Sequence, residues 1–309
     1  MKIVFLDRKT LGKDINLDRF NTLGQVEIYE TTLPTQTLTR VKDADIVITN
    51  KVVIDKEIMD NSDIKLICIA ATGTNNVDLK HATVKGIEVK NVAGYSTSSV
   101  AQVTISLVLH FMQKLNSYIN YVEKKNWEKS DIYTYIDVPF YELKNKKWGI
   151  IGLGSIGTKV AQIAESFDCE VNYYSTSGKN NNTKYNQTSL EELMKESDIV
   201  SIHSPLNDTT YNMINKTYLD MMKEDAILIN VGRGGIINEA DLANKIDSNK
   251  SFYCGIDVLE KEPIEKSNPL NKVKNKDRII ITPHIGWGSV ESRNRLINLV
   301  FDNVKEYIV

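Results

Sequence analysis

The sequence predicts an α/β fold built on two doubly wound parallel sheets, and three observations predict it. A chain of 309 residues is longer than one typical hydrophobic core, so two domains are expected. Short apolar runs recur through its first hundred residues, at Ile3–Leu6, Val26–Tyr29, Ile46–Thr49, Leu66–Ala70 and Val89–Val92. A second series follows at Trp148–Leu153, Val171–Tyr174, Ile199–His203, Ala226–Val231, Tyr253–Val258 and Ile279–Thr282. Helix-compatible segments separate the runs, among them a pattern from Ile156, Leu190–Lys195 and Glu239–Ile246. Strands alternating with helices imply parallel sheets whose ligands bind beyond the carboxyl ends of the strands, so function is expected in the loops.

A helical pattern over Ser99–Leu115 joins the two series, and a last one over Val290–Tyr307 follows the final strand and is read as returning to the first. The expected division is therefore a discontinuous domain of residues 1–98 and 286–309 around a second domain of residues 99–285. The stretch Tyr118–Leu143, rich in Tyr, Lys and Trp, is open to two readings: an arm that packs on a second subunit, or a surface excursion. Asn180–Gln187 reads as a polar loop.

Composition narrows the partners. A net charge of -2 with 41% hydrophobic residues supports a real core and gives no electrostatic reason to bind nucleic acid. Cys68, Cys169 and Cys254 lie far apart among apolar neighbours, without metal-site or redox spacing, and read as buried thiols in a reducing compartment. The opening run Met1–Asp7 is too short for a signal peptide. Val100–Met112 is interrupted by Gln102, Thr104, Ser106 and His110, a core helix rather than a membrane span, so the cytoplasm is the expected location.

The segment Trp148-Gly149-Ile150-Ile151-Gly152-Leu153-Gly154-Ser155-Ile156-Gly157 carries G-x-G-x-x-G between an apolar strand and a helical pattern. Gly152 permits the tight turn, Gly154 lets backbone approach a pyrophosphate, and Gly157 allows close helix–strand packing. Ser155 and Ile156 open the helix whose N-terminus faces the anion. Alone the triplet is weak; in this setting it marks a Rossmann dinucleotide site. An NAD-specific site usually ends its second strand in an acid, and here the strand ends at Ser175. Ser175, Thr176, Ser177 and Lys179 can accommodate a 2′-phosphate, so NAD or NADP is the expected cofactor, with relaxed or NADP-leaning preference.

Three further segments, Asn230-Val231-Gly232-Arg233-Gly234-Gly235, Asp257-Val258-Leu259-Glu260-Lys261-Glu262-Pro263 and Thr282-Pro283-His284-Ile285-Gly286-Trp287-Gly288-Ser289, together resemble the D-isomer-specific 2-hydroxyacid dehydrogenase family. The resemblance extends over nearly the whole chain, including Ala71–Asp78 and Ser201–Leu206; His284 followed by Trp287 is most similar to its glycerate dehydrogenase or hydroxypyruvate reductase branch. It implies a Rossmann NAD(P) domain inserted in a flavodoxin-like substrate domain, two lobes hinged near Gly94–Ser99 and Ile285–Ser289, and a homodimer. It also implies hydride transfer between NAD(P)H and C2 of a small 2-keto or D-2-hydroxy acid, hydroxypyruvate or glyoxylate first.

The chemistry explains the residue types. Hydride arriving at a carbonyl carbon leaves an alkoxide that needs a proton and a stabilising charge. By resemblance His284 is the general acid, Glu262 orients its ring and favours imidazolium, and Arg233 grips the substrate carboxylate and carbonyl. The loop Thr72, Gly73, Thr74 would add donors to that carboxylate. Asp257 would hold the nicotinamide carboxamide, Val231 and Gly232 would run along its ribose, and His203, Pro205 and Thr209 would lie near the cofactor. Blander readings stand beside these: Arg233 as a loop charge, Glu262 as a helix-start carboxylate and His284 as a satisfied strand-end histidine. Their joint occurrence in family order favours the catalytic set. Trp287 either limits the substrate pocket or packs on the closing helix, and Tyr95 is equally pocket or core. The resemblance also admits a dehydrogenase for D-lactate or bulkier acids, and a non-catalytic corepressor-like sensor of NAD(H). The chain departs from the family at Ser175 and at Gln102, where many members carry Glu.

Overall fold

A computed structural model describes all 309 residues, Met1–Val309. The chain divides into two compact units, Met1–Ser96 with Trp287–Val309, and Thr97–Gly286.

The first unit contains β1 (Lys2–Phe5), β2 (Gln25–Ile28), α1 (Pro34–Val41), β3 (Ile46–Thr49), α2 (Lys56–Asp60), β4 (Leu66–Ile69), α3 (Leu79–Lys85) and β5 (Glu88–Lys90). Its strands are all parallel in the order β2-β1-β3-β4-β5, the flavodoxin-like winding. The inner strands are buried on both faces. Ile3, Phe5, Ile46 and Ile48 pack against Leu296, Ile297 and Val300 of the C-terminal helix Val290–Ile308. Val4, Val47 and Ile67 turn the other way, onto Val41, Met59 and Ala82 of α1, α2 and α3. Strands covered on both sides need continuous apolar runs, which is why they stand out in the sequence. Side-chain carboxylates start two of the helices, Asp55 accepting the Ile58 N–H and Asp78 the His81 N–H. Buried Asp7, just beyond β1, ties that strand to the β3 loop by accepting the Asn50 and Lys51 N–H groups. Burial raises its carboxyl pKa, an effect those amides oppose.

The second unit runs α4 (Thr97–Gln113), α5 (Leu115–Glu123), β6 (Lys147–Ile151), α6 (Ser155–Ser166), β7 (Glu170–Tyr174), β8 (Asn186–Gln187), α7 (Leu190–Glu196), β9 (Ile199–Ile202), α8 (Lys216–Met221), β10 (Ile227–Asn230), α9 (Glu239–Ser248), β11 (Tyr253–Ile256) and β12 (Ile279–Ile281). Its parallel sheet has the order β12-β11-β10-β9-β6-β7-β8, the Rossmann winding with one strand added at the far edge. One face carries Trp148, Ile150, Ile227 and Ile229 against α4 and α6; the other carries Val200, Leu228 and Cys254 against α7, α8 and α9. All three cysteines are buried and unpaired, and burial pushes the thiols of Cys68 and Cys169 up to about 12 and about 11.

Two segments differ from their sequence reading. The polar stretch Asn180–Gln187 ends in the short edge strand β8, held where Asn186 and Gln187 bond the side chains of Asn172 and Tyr173. The helical pattern ending near Leu115 breaks at Lys114, which adopts φ +52° and restarts the chain as α5. The arm from there to Tyr141 exposes Leu115, Ile119, Val122, Trp127, Tyr133 and Ile136. No helix is long and apolar enough to cross a membrane.

Gly149, inside the central strand β6, shows how tightly α7 is seated: a Cβ there would lie 2.6 Å from Leu193 Cδ2 and 2.4 Å from Ser197 Oγ. Replacing Gly149 with Val should cost about 1–3 kcal/mol through overpacking, read as a lowered denaturation midpoint at unchanged m; an unshifted midpoint contradicts this packing.

Candidate active site

In the second unit the strand order reverses between β6 and β9, and the loops beyond their carboxyl ends flank the crevice where doubly wound sheets take ligands. The loop after β6 is the glycine turn. Gly152 has φ +90°, and a Cβ on it would come within 2.9 Å of the Ser204 backbone nitrogen. At Gly157 a Cβ would meet the Gly152 carbonyl oxygen at 2.3 Å, so only glycine lets α6 start so close to β6. Gly154, the N-cap, faces open space. Ser155 and Ile156 form the first turn of α6, whose leading N–H groups lack helical partners. A closed turn with one open glycine at a helix N-terminus fits a dinucleotide pyrophosphate.

Beyond β9 lie His203 and Ser204. Trp148 Nε1–H donates to Ser201 Oγ at 2.9 Å, and Ser201 Oγ lies 3.0 Å from His203 Nε2. The indole can only donate, whereas Ser201 Oγ can donate to or accept from Nε2 according to the ring's tautomer, which also decides whether Nδ1 carries a proton. That Nδ1 and the Ser204 hydroxyl are buried with no partner. Burial drives the His203 pKa down to about 3, so the ring is neutral. Thr209 Oγ1 and Thr210 hold Asn207 Oδ1, and Thr210 also donates to the Pro205 carbonyl, shaping this exposed loop. At the end of β7, buried Ser175 Oγ accepts the Asn180 N–H at 3.4 Å, with half-buried Thr176 next to it.

The loops after β10, β11 and β12 carry the expected catalytic set. Buried Asn230 braces the first of them, accepting the Gly232 N–H at 3.1 Å and donating Nδ2–H to the Arg233 carbonyl at 2.9 Å. Arg233 Nη1 donates to the Gly232 carbonyl at 2.8 Å, and Val231 is buried behind it. A Cβ on Gly234 would fall 1.9 Å from the Leu259 carbonyl, so glycine is needed to seat this loop on the next. Leu259 N–H in turn donates to Glu262 Oε1 at 2.9 Å, and Glu262 Oε2 lies 2.7 Å from His284 Nδ1. Both side chains keep partial solvent access, 34% for Glu262 and 25% for His284. With Nδ1 committed to the carboxylate, Nε2 is the atom left for chemistry. Asp257, 2% exposed, accepts bonds from Thr282, Ile285 and Gly286.

In the first unit, Thr72 donates Oγ1–H to the Val92 carbonyl and Thr74 accepts the Val77 N–H, which shapes the loop holding Gly73. Tyr95 is 6% exposed in the core and meets Trp287 edge-on at 6.3 Å between ring centroids. Sequence reasoning left Asn230, Ser201 and Thr282 without roles; each is a polar residue at or next to a strand end, which is the only signal the sequence offers for them.

Two wound parallel sheets, a glycine turn at the reversal point and a carboxylate–imidazole pair on the same sheet edge define a nucleotide-dependent oxidoreductase. Residues 105–286 match the model of the D-isomer specific 2-hydroxyacid dehydrogenase NAD binding domain, and the chain belongs to that family. It is 36% identical to a hydroxypyruvate reductase of Blautia hydrogenotrophica over 100% of this chain and 97% of that protein. Among solved structures it resembles an acyclic imino acid reductase in complex with NADPH and D-Arg, with TM-score 0.86, 28% identity and coverage of 99% and 97% of the two chains. It also resembles the D-lactate dehydrogenase of Aquifex aeolicus complexed with NAD and lactic acid, with TM-score 0.84, 25% identity and coverage of 99% and 95%.

The neutral His203 has a pH consequence. Its pKa is 6.5 ordinarily and about 3 in the fold, so below 6.5 the unfolded chain takes up a proton that the folded chain refuses. Stability that is whole above that point declines as pH falls, by at most about 1.4 kcal/mol per pH unit. Between pH 6.5 and 5 the Tm of the wild type should fall more steeply than that of His203→Gln; parallel curves contradict the assignment.

Proposed function

We propose that this enzyme reduces a small 2-keto acid, hydroxypyruvate or glyoxylate, to its D-2-hydroxy acid with NADH or NADPH. The observation that carries the reading is the His284–Glu262 pair, joined at 2.7 Å on the sheet edge that also bears the glycine turn. A bound dinucleotide would lay its pyrophosphate along Gly152–Gly157 and its nicotinamide ribose along Val231–Gly232, with Asp257 at the carboxamide, and would supply the hydride for C2. His284 gives its Nε2 proton to the oxygen formed there, and Glu262 on Nδ1 orients the ring and fixes its tautomer. Arg233, its fork steadied by the Gly232 carbonyl, takes the substrate carboxylate and balances charge developing on the carbonyl oxygen. Hydroxypyruvate leads because the Blautia relative is a hydroxypyruvate reductase. The complete pair and Arg233 favour turnover over a purely sensing role.

His284→Ala should lower kcat for hydroxypyruvate reduction by roughly 10²–10⁴-fold while NADH still binds in a fluorescence titration. Turnover at the wild-type rate defeats the assignment.

The cofactor preference rests on Ser175, which stands where an acid would contact the ribose diol. We expect kcat/KM with NADPH to equal or exceed that with NADH; strong NADH selectivity overturns this part. The active form is proposed to be a cytoplasmic homodimer. Support comes from the unpaired buried cysteines and from Leu115, Ile119 and Val122, spaced along α5 and all more than half exposed. Light scattering should return twice the chain mass, and Ile119→Lys with Val122→Lys should return the single mass. A wild-type monomer refutes the dimer.

A further inference from the structure

His284 combines two features that do not arise by default: a ring held by Glu262 and a backbone in the left-handed region, at φ +55°. That conformation is uncommon away from glycine and persists only where the surroundings impose it. The surroundings are in the second unit. Asp257 Oδ1 accepts the Thr282 hydroxyl at 2.6 Å and the Ile285 N–H at 2.8 Å, while Oδ2 accepts the Gly286 N–H at 2.8 Å. The three donors therefore bracket His284, one from the residue two before it and two from the residues that follow. The His284 N–H closes the turn on the Thr282 carbonyl at 2.9 Å. From the first turn of α4, Ser99 Oγ–H donates to the Gly286 carbonyl at 2.6 Å. A Cβ on Gly286 would lie 2.8 Å from Asp257 Oδ2, so this approach requires glycine. Hydrogen bonds to a buried carboxylate are among the stronger ones available to a protein.

We propose that Asp257 is a positioning residue for the reduction: with Thr282 and Ser99 it clamps the backbone on both sides of His284 and so aims Nε2, in addition to any contact with the carboxamide. The proposal rests on the keto-acid reduction above for its kinetic consequence, and on the bond set alone for its structural one. Glu262 sets the rotation of the ring; Asp257 sets where the ring is carried.

Two variants test it. Asp257→Asn keeps the shape but cannot accept from all three donors. Thr282→Val removes one hydroxyl and leaves the carboxylate in place. In both, amide exchange measured by mass spectrometry over residues 282–287 should accelerate against the wild type. Reduction kcat should fall by about tenfold or more, since small misplacements of a catalytic group are costly, while KM for NADH in Thr282→Val stays at the wild-type value. If Asp257→Asn does not fold, Thr282→Val carries the test. Unchanged exchange in the variants that fold overturns the clamp, as does a raised KM for NADH with kcat intact, which would leave Asp257 a cofactor contact only. A wild type that reduces no keto acid, yet shows the exchange difference, defeats the reaction and leaves the clamp standing.

Discussion

The geometry of the candidate site depends on three parallel strands delivering three loops to one edge at fixed heights. β10, β11 and β12 pair in continuous register, Ile229 beside Gly255 beside Ile280. A shift of one residue would turn every side chain of a strand to the opposite face of the sheet. Helices cover both faces, so any slip would exchange the side chains packed on each, taking Leu228 and Cys254 out of one core cluster and Ile227 and Ile229 out of the other. The register is thus held by the core, and the core thereby decides where Arg233, Glu262 and His284 emerge. Glycines complete the arrangement where the loops touch: Gly232 against the Ser204 carbonyl, Gly234 against Leu259 and Gly286 against Asp257.

Those contacts form one continuous series through the second unit. Asn230 holds the Arg233 loop, that loop sits on Leu259, Leu259 donates to Glu262, Glu262 holds the His284 ring and Asp257 holds its backbone. Each member is satisfied by the next, which is how a partly buried polar network avoids the penalty of unmet hydrogen bonds. Three buried side-chain atoms depart from this: His203 Nδ1 and Ser204 Oγ, beyond β9 where the sheet reverses, and Thr188 Oγ1 just after β8.

Much of this was legible in the residues. Inner parallel strands show as nearly unbroken apolar runs and edge strands as runs broken by a polar residue such as Glu27 or Lys90; all eleven runs correspond to strands, with boundaries moved by a residue or two at ends where pairing stops. The glycine triplet and the ordered Arg233, Glu262 and His284 segments carried the fold and the reaction class because each needs a particular residue type. β8 was not legible: it has two residues, both polar, stabilised by side chains of its neighbour rather than by burial. Nor was the break at Lys114, since a lysine in the left-handed region leaves none of the signals that glycine or proline would. Ser201, Asn230 and Thr282 were missed for a related reason, because a polar residue near a strand end has a role only once its partner across the fold is known.

Trp287 and Tyr95 show where sequence alternatives and structure meet. Both possibilities for each were a pocket wall or a packed core residue, and the edge-on contact between the rings makes the two positions interdependent. Tyr95 lies in the core with Leu296 and Val300, and its carbonyl accepts from Ser292 and Arg295 on the C-terminal helix. Trp287 is thus backed by a buried tyrosine that the helix fixes in place, so its position is set by the same packing that stabilises the first unit. Changing the size of either ring changes the other's support. The setting of Trp287 is therefore coupled to the core of the first unit, and that of His284 to the sheet of the second.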